Sequence, residues 1–389
     1  MLLVLVLAAC VRALSEHSPT LILHQRIPST VRIPGPGPRL LWPASGQAAV
    51  AVQGIGKMGS FGGSSPIPIA SVAKIMTAYL TLSEAPLPRG SSGFTLTITP
   101  ADVAEERRRA AQGQSVLAVR TGERLTERQA LQALLLPSAN NVATLLAHHS
   151  PGGMQGFLVR MNETARALKM TATTYTSPSG YDSSTVSSAA DQLRLAEVAM
   201  RIPAFAQMVS LRTVRLPDAG EVSNYNGLVD RDGYIGIKTG SDQAAGGCLV
   251  FAKRVRIGTH HLLIFGAVLG QHEGPIIQAA LKSAQQLGDS AADALHIDDV
   301  VAAGTAVMTV TGVGHRHVSV IATRPLRELG WSGLHVAIKI RLEPVKSELH
   351  RNQKVATIST SGTISDSISA IASRSLGGPS LGWRLTHIV

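Results

Sequence analysis

Three apolar runs follow one another between Tyr234 and Gly270: "YIGIKTG", "GGCLVFAKRV" and "HLLIFGAVLG". Their length, their Val, Ile, Leu and Phe content and the Gly residues at their ends read as strands. Turns as short as those between them join antiparallel neighbours, so the chain folds around an antiparallel sheet. A helix follows over "GPIIQAALKSAQQL", where apolar residues recur at helical spacing. Towards the other end, "GQAAVAVQGIGKMGSFGG" reads from Gly46 as a strand, a Gly-rich turn and a second strand. Helix starts lie between these two groups of strands. Thr99 with Asp102 and Thr126 with Gln129 form capping boxes, Ser188 with Asp191 opens "QLRLAEVAMR", and "GFLVRMNETARALKM" has helical periodicity. Strands at both ends with helices between them predict a mixed α/β body over residues 41–292, whose sheet joins the early and late strands.

The 389 residues, 44% of them hydrophobic, can bury a sizeable core and leave room for a second unit. From residue 293 to 389 the character changes. "VVAAGTAVMTVTGV", "HVSVIATR", "LHVAIKIRLEP" and "QKVATIST" are short β-type runs parted by Gly, Pro and Ser, and predict a small all-β domain without a catalytic cluster. His315 and His317 alternate as strand neighbours do, but two histidines without further ligands make a weak metal site, and a turn with exposed polar side chains is the expected reading. Trp331 and Trp383 fit either core packing or a membrane interface.

At the N-terminus, "MLLVLVLAACVRALSEH" carries an apolar run ending in small residues, as a secretory signal does, over residues 1–15. It is too short to cross a bilayer, which takes roughly 20 apolar residues. Leu7 to Cys10 also fits a lipoprotein signal in which the cysteine is lipidated. The expected place of action is extracytoplasmic, either secreted or held at the outer face of the membrane. Residues 16–40, with alternating Pro and Gly, read as a linker. The chain has two cysteines, and Cys248 in "GGCLVFAK" reads as an inert core thiol.

The net charge of +11 suits anionic partners such as acidic headgroups or wall polymers. The 36 basic residues are spread along the whole chain, aromatics are 4%, and no basic block carries interleaved aromatics. Nucleic acid is therefore not an expected partner.

Three polar triplets carry the possible chemistry. Ser71-Val72-Ala73-Lys74 lies in "IASVAKIMTAYL", where a hydroxyl and an amine three residues apart share a helix face. A desolvated lysine with a lowered pKa can activate a serine nucleophile, although alone the pair is equally a lysine reaching for solvent. Ser138-Ala139-Asn140 follows the proline that stops a helix. Its hydroxyl and amide can both face a cleft, or can simply cap the next helix. Lys238-Thr239-Gly240 ends an apolar strand. It is either a carboxylate-binding rim with a Gly that admits ligand to the backbone, or a plain hairpin turn.

All three together, in this order, form the set used by penicillin-binding proteins and class A β-lactamases. The chain resembles the penicillin-recognising serine acyl transferases, and within them the low-molecular-mass D-alanyl-D-alanine carboxypeptidases. "PIASVAKIMTAYL", "GERLTERQALQALLLPSANNVATLLA", "FLVRMNETARALKMTATTYTSPSGYD", "NYNGLVDRDGYIGIKTG" and "AAGGCLVFA" are similar to successive blocks of that family over roughly residues 45–270. The resemblance implies a transpeptidase-like catalytic domain with an antiparallel sheet flanked by helices. It implies Ser71 as nucleophile, Lys74 as its base and Ser138 as a proton relay. Asn140, Lys238, Thr239 and Gly240 would bind substrate, and the backbone N–H groups of Ser71 and Ser241 would hold the oxyanion. No metal or organic cofactor is required. The implied substrate is a peptidoglycan stem peptide ending in D-Ala-D-Ala, with β-lactams as inhibitors and the membrane surface or cell wall as surroundings.

Competing readings are a DD-endopeptidase cutting peptide crosslinks, a β-lactamase, and a non-catalytic β-lactam-sensing wall protein. A β-lactamase needs a further Glu to activate the deacylating water, and Glu163, Glu197 and Glu221 lack the expected surroundings. Many members follow K-T-G with a variable residue and Thr. Here Ser241 and Asp242 follow, and the Asp either opposes a substrate carboxylate or points to the other strand face.

Overall fold

The structure is a computed structural model that describes residues 21–345, 348–364 and 366–378. The sequence readings at Cys10 and Trp383 lie outside the described residues. The chain divides into two compact units, one of residues 39–294 and one built from the segment before Arg39 together with Leu295 onward. Among the described residues no helix is long and apolar enough to cross a membrane.

The larger unit is built on five strands: β1 (Gln47–Val52), β2 (Gly56–Phe61), β3 (Tyr234–Asp242), β4 (Gly246–Ile257) and β5 (His260–Gln271). Their order across the sheet is β3-β4-β5-β1-β2, all antiparallel. The early hairpin thus adds to the late three-stranded meander, as the sequence predicts.

Eight α-helices complete this unit: α1 (Lys74–Glu84), α2 (Pro100–Ala111), α3 (Glu127–Leu135), α4 (Asn140–His149), α5 (Gly153–Ala167), α6 (Ala189–Ala199), α7 (Pro203–Val209) and α8 (Ile276–Asp293). Thr99 and Thr126 close complete capping boxes on α2 and α3, and Ser188 caps α6. Successive strand residues face opposite ways. Cys248, Val250 and Ala252 of β4 join the core shared with α1, α3 and α4. On the opposite face, Gly288 of α8 sits where a Cβ would fall 2.4 Å from Tyr234 Oη and 3.0 Å from Phe251, so its missing side chain lets helix and sheet meet.

The other unit is β-rich, as expected, with Trp331 buried in it. The linker expected over residues 16–40 is a different matter. Ile22–Gln25 pairs with Ala306–Thr311, and Thr30–Arg32 pairs with His335–Leu342, so both are outer strands of a seven-stranded sheet. Leu21 and Ile33 are buried in its core. Of the Pro and Gly residues that suggested a spacer, Pro28 lies between these two strands and the alternating run begins at Pro34, after them. The strands themselves are too short to show a period.

Candidate active site

The approach to Ser71 is strained. Ala70, immediately before it, has φ +45°, a left-handed conformation that a residue with a Cβ holds only when its surroundings force it. Gly180 packs against this turn: its own φ is +75°, and a Cβ there would lie 1.9 Å from Ala70 O, so only a glycine fits beside it. Thr77 Oγ1 donates to Pro178 O at 2.6 Å and ties that same segment to α1.

Ser71 and Lys74 do not share one α-helix. Ala70–Ala73 form a 3-10 turn, and α1 begins at Lys74. In a 3-10 turn positions i and i+3 eclipse, which brings the two side chains closer than α geometry would. Lys74 Nζ lies 2.7 Å from Ser71 Oγ, and it donates to Asn140 Oδ1 at 2.6 Å and to Ser179 O at 3.0 Å. Lys74 is fully buried and Ser71 half-buried. Burial first, and then the nearby charges of Lys238 and Arg109, hold the Lys74 ammonium well below the usual lysine range.

Asn140 begins α4 but does not cap it. The cap position is Ala139, which makes no side-chain bond. Both ends of the Asn140 amide are engaged instead, its oxygen by Lys74 and its nitrogen by Gln114 Oε1 at 2.8 Å. Ser138 sits just before with φ +66°, and its Oγ is buried with no hydrogen-bond partner. A buried hydroxyl held open by a strained backbone suits a group that waits for a ligand.

Lys238, Thr239 and Gly240 lie within β3 rather than in a hairpin turn, and Ser241 is at its exposed end. β3 is an edge strand, bonded to β4 on one side and facing the 3-10 turn of Ser71 with the other. Lys238 Nζ donates to Thr239 O at 3.0 Å, and burial lowers its pKa to about 7. The Lys238 charge adds to the effect of burial at Lys74 and makes that amine a better base. Beside the cluster opens a cavity of about 470 Å³ whose lining includes Arg109, Gln114, Thr144, Ser179, Tyr181 and Asp182.

Every predicted site residue thus falls on one of three elements: the turn into α1, the start of α4, or β3. Direct hydrogen bonds join Ser71, Lys74 and Asn140. Thr239 is buried beside Lys238. Such a cluster is suited to acyl transfer, with an amine as base, a hydroxyl as nucleophile and an edge strand ready to pair with a peptide.

The family model described as D-alanyl-D-alanine carboxypeptidase, peptidase S11, matches residues 63–263, more than half of the chain and the whole stretch that carries these groups. The chain belongs to this family. It is 33% identical over 195 residues to a D-alanyl-D-alanine endopeptidase of Escherichia coli, covering 47% of this chain and 58% of that protein. It is 36% identical over 185 residues to a D-alanyl-D-alanine carboxypeptidase of Mycobacterium tuberculosis, covering 46% and 59%. The crystal structure of the Streptomyces K15 DD-transpeptidase superposes with a TM-score of 0.56 at 26% identity, covering 66% of this chain and 98% of that one. The chain therefore spans less than two thirds of either of these two relatives, while it takes in almost all of the transpeptidase fold.

Within that frame the departure at Asp242 has a local explanation. Its Oδ1 accepts the N–H of Ala245 at 2.7 Å, so the carboxylate is engaged in the turn between β3 and β4. Of the glutamates weighed for a β-lactamase, Glu163 is exposed on α5, Glu197 is half-buried on α6 and Glu221 is exposed on the strand Gly220–Ser223. None is bonded to Lys74 or Asn140. Sequence reasoning missed Ser179 O and Gln114. A backbone carbonyl leaves no mark in residue type, and Gln114 is one polar residue in a polar turn.

Proposed function

We propose that the protein is a serine-type D-Ala-D-Ala carboxypeptidase, which removes the terminal D-alanine from peptidoglycan stem peptides through an acyl-enzyme. The observation that carries this reading is the buried Lys74 amine 2.7 Å from the half-buried Ser71 hydroxyl. Neutral Lys74 takes the Ser71 proton as Oγ attacks the carbonyl between the last two D-alanines. The backbone N–H groups of Ser71 and Ser241 hold the oxyanion. Ser138 passes a proton to the departing amine, Asn140 orients the peptide, and Lys238 with Thr239 grips the terminal carboxylate. The proton that reaches the amine is the one Lys74 took up, so Lys74 is neutral again when water attacks the ester; it takes the water proton and returns it to Ser71 Oγ as the acid leaves. β-Lactams acylate Ser71 and stall there. The apolar run at the N-terminus supports action outside the cytoplasm, at the membrane surface or in the wall.

The second reading, a DD-endopeptidase that cuts crosslinks, uses the same residues. It is favoured by the endopeptidase name of the E. coli relative.

Purified protein given a pentapeptide ending in D-Ala-D-Ala, a crosslinked peptide dimer and a fluorescent penicillin separates these readings. Release of D-alanine with a stable penicillin label, both absent in Ser71→Ala, supports the carboxypeptidase. Cleavage confined to the dimer transfers the assignment to the endopeptidase. Rapid penicillin turnover without a stable label rejects both in favour of a lactamase, and a label with no peptide cleavage points to a sensor.

A further inference from the structure

Behind the groups that touch the reacting atoms runs a row of amides ending in a guanidinium. Gly113, with φ +69°, terminates α2, and the Gln114 N–H donates back to Arg109 O at 3.1 Å. This helix-ending turn brings the Gln114 and Arg109 side chains together. Gln114 Oε1 accepts from Arg109 Nη1 at 2.9 Å and from Asn140 Nδ2 at 2.8 Å, while Gln114 Nε2 donates to Gln112 Oε1 at 2.7 Å. Arg109 is itself fixed, its Nε donating to Glu105 Oε1 at 2.6 Å and its Nη2 to Thr144 Oγ1 at 3.1 Å.

A guanidinium has donors only. The Gln114 atom that faces Arg109 is therefore the oxygen, and the Asn140 atom that faces this oxygen is the nitrogen. Asn140 is left to present its oxygen to Lys74. The polarity of the row is set from the Arg109 end, whatever the protonation state of Lys74.

We propose that Gln114 and Arg109 are positioning residues for acylation, which lock the Asn140 amide so that the lone pair of neutral Lys74 points at Ser71. The proposal rests on the reading of Lys74 as the base. A neutral amine has two N–H donors and one lone pair. Of the three groups around Nζ, Asn140 Oδ1 and Ser179 O can only accept, and Ser71 Oγ–H alone can donate. The two N–H bonds go to the first two, and the lone pair is left for the serine proton. If the Asn140 amide were to turn over, its NH₂ would donate to that lone pair and quench the base.

The charged groups facing Lys74 are Lys238 from β3 and Arg109 from α2, with Glu105 paired to Arg109. Removing the Arg109 charge lets Lys74 hold its proton to higher pH.

The test is the acylation rate of the full chain by a fluorescent penicillin, measured across pH for wild type, Gln114→Leu, Gln114→Glu, Arg109→Met and Ser71→Ala. Gln114→Leu, which removes the acceptor shared by Arg109 and Asn140, is expected to lower the acylation rate constant roughly ten- to a hundredfold at every pH, more than it weakens penicillin binding. Gln114→Glu keeps both acceptor functions, so it should recover most of the rate at alkaline pH while its added negative charge moves the acid limb upward. Arg109→Met should lower the plateau and also move the acid limb to higher pH.

Wild-type rates and pH profiles in the Gln114 variants would overturn the proposal. So would equal losses in Gln114→Leu and Gln114→Glu that track a fall in melting temperature, because those report a structural role. Labelling that persists in Ser71→Ala overturns the underlying reading of Ser71 instead, which is a separate result.

Discussion

Gly240 of β3 lies directly against the backbone of Ser71. A Cβ at Gly240 would fall 3.0 Å from Ser71 N, 2.9 Å from Val72 N and 2.9 Å from Ile69 O, all of them main-chain atoms that cannot swing aside. The missing side chain therefore sets the width of the slot between the nucleophile's turn and the edge strand. In the proposed mechanism the substrate carbonyl reaches N–H groups on both walls of that slot. Gly240→Ala is expected to move β3 outward by a fraction of an ångström and to slow penicillin acylation by about tenfold, less than the roughly hundredfold of a 1 Å misplacement. Stopped-flow acylation together with a thermal melt checks this. A normal rate would mean that the slot is wider than the contact implies.

Lys74 and Lys238, both buried in the site, make the protein's stability and activity depend on pH in a defined direction. Lys238 has a folded pKa of about 7 against an ordinary value of 10.5. Between those values the unfolded chain binds a proton that the folded chain does not, so stability rises with pH through this window and the full penalty is felt below it. Lys238→Met is expected to raise the melting temperature by roughly 2–8 °C at pH 6, corresponding to about 1–2 kcal/mol. That advantage should fade as the pH approaches 10.5. The same variant should lose peptidase activity. For Lys74 the base form is the neutral one, so the wild-type acylation rate climbs with pH as its proton leaves. A melting temperature for Lys238→Met that stays at or below wild type across the whole pH range would contradict this account.

Ser138 combines φ +66° with a buried, unpartnered hydroxyl. A left-handed backbone at a residue with a Cβ costs about 1–2 kcal/mol, and glycine avoids that cost. Ser138→Gly should therefore be more stable than Ser138→Ala by about 1 kcal/mol, although the two lack the same hydroxyl. Both should release D-alanine far more slowly than wild type if the hydroxyl carries the proton to the leaving amine. Chemical denaturation of the pair, with D-alanine assays alongside, tests the strain and the role separately.

How much of this was legible in the residues depended on whether a signal was local. The capping boxes at Thr99 and Thr126, the three late strands and the Ser71–Lys74 spacing are written within a few positions, and they appear where the pattern implies. The buried state of Cys248, whose thiol burial pushes up to about 12, follows from its apolar run. What could not be read depends on contacts across the fold. The 3-10 turn at Ala70 packs against Gly180, 110 positions along the chain, where a side chain would not fit. The Gln114–Asn140 bond links a turn to a helix start. The strands at Ile22 and Thr30 are too short to reveal alternation, and they become strands only because Ala306–Thr311 and His335–Leu342 offer them edges.

That last point gives a prediction about the β-rich unit. Ile33 is fully buried in its core, and its backbone is held by Leu334 O, 2.8 Å from the Ile33 N–H, and by the Gly333 N–H, 2.9 Å from Ile33 O. Its side chain reaches Gly330, where a Cβ would meet Ile33 Cδ1 at 3.0 Å. Nothing small enough to leave that space empty can hold the segment as well, and Ile-to-Ala changes at such sites cost about 2–5 kcal/mol. Ile33→Ala should therefore lower the unfolding temperature of the β-rich unit and make the chain before Arg39 sensitive to protease. The catalytic unit has its own core, so the rate of penicillin labelling at Ser71 should stay within a factor of about two of wild type, the margin for a site with no shared partners. If the segment were a spacer, Ile33→Ala would change neither the melt nor the proteolysis.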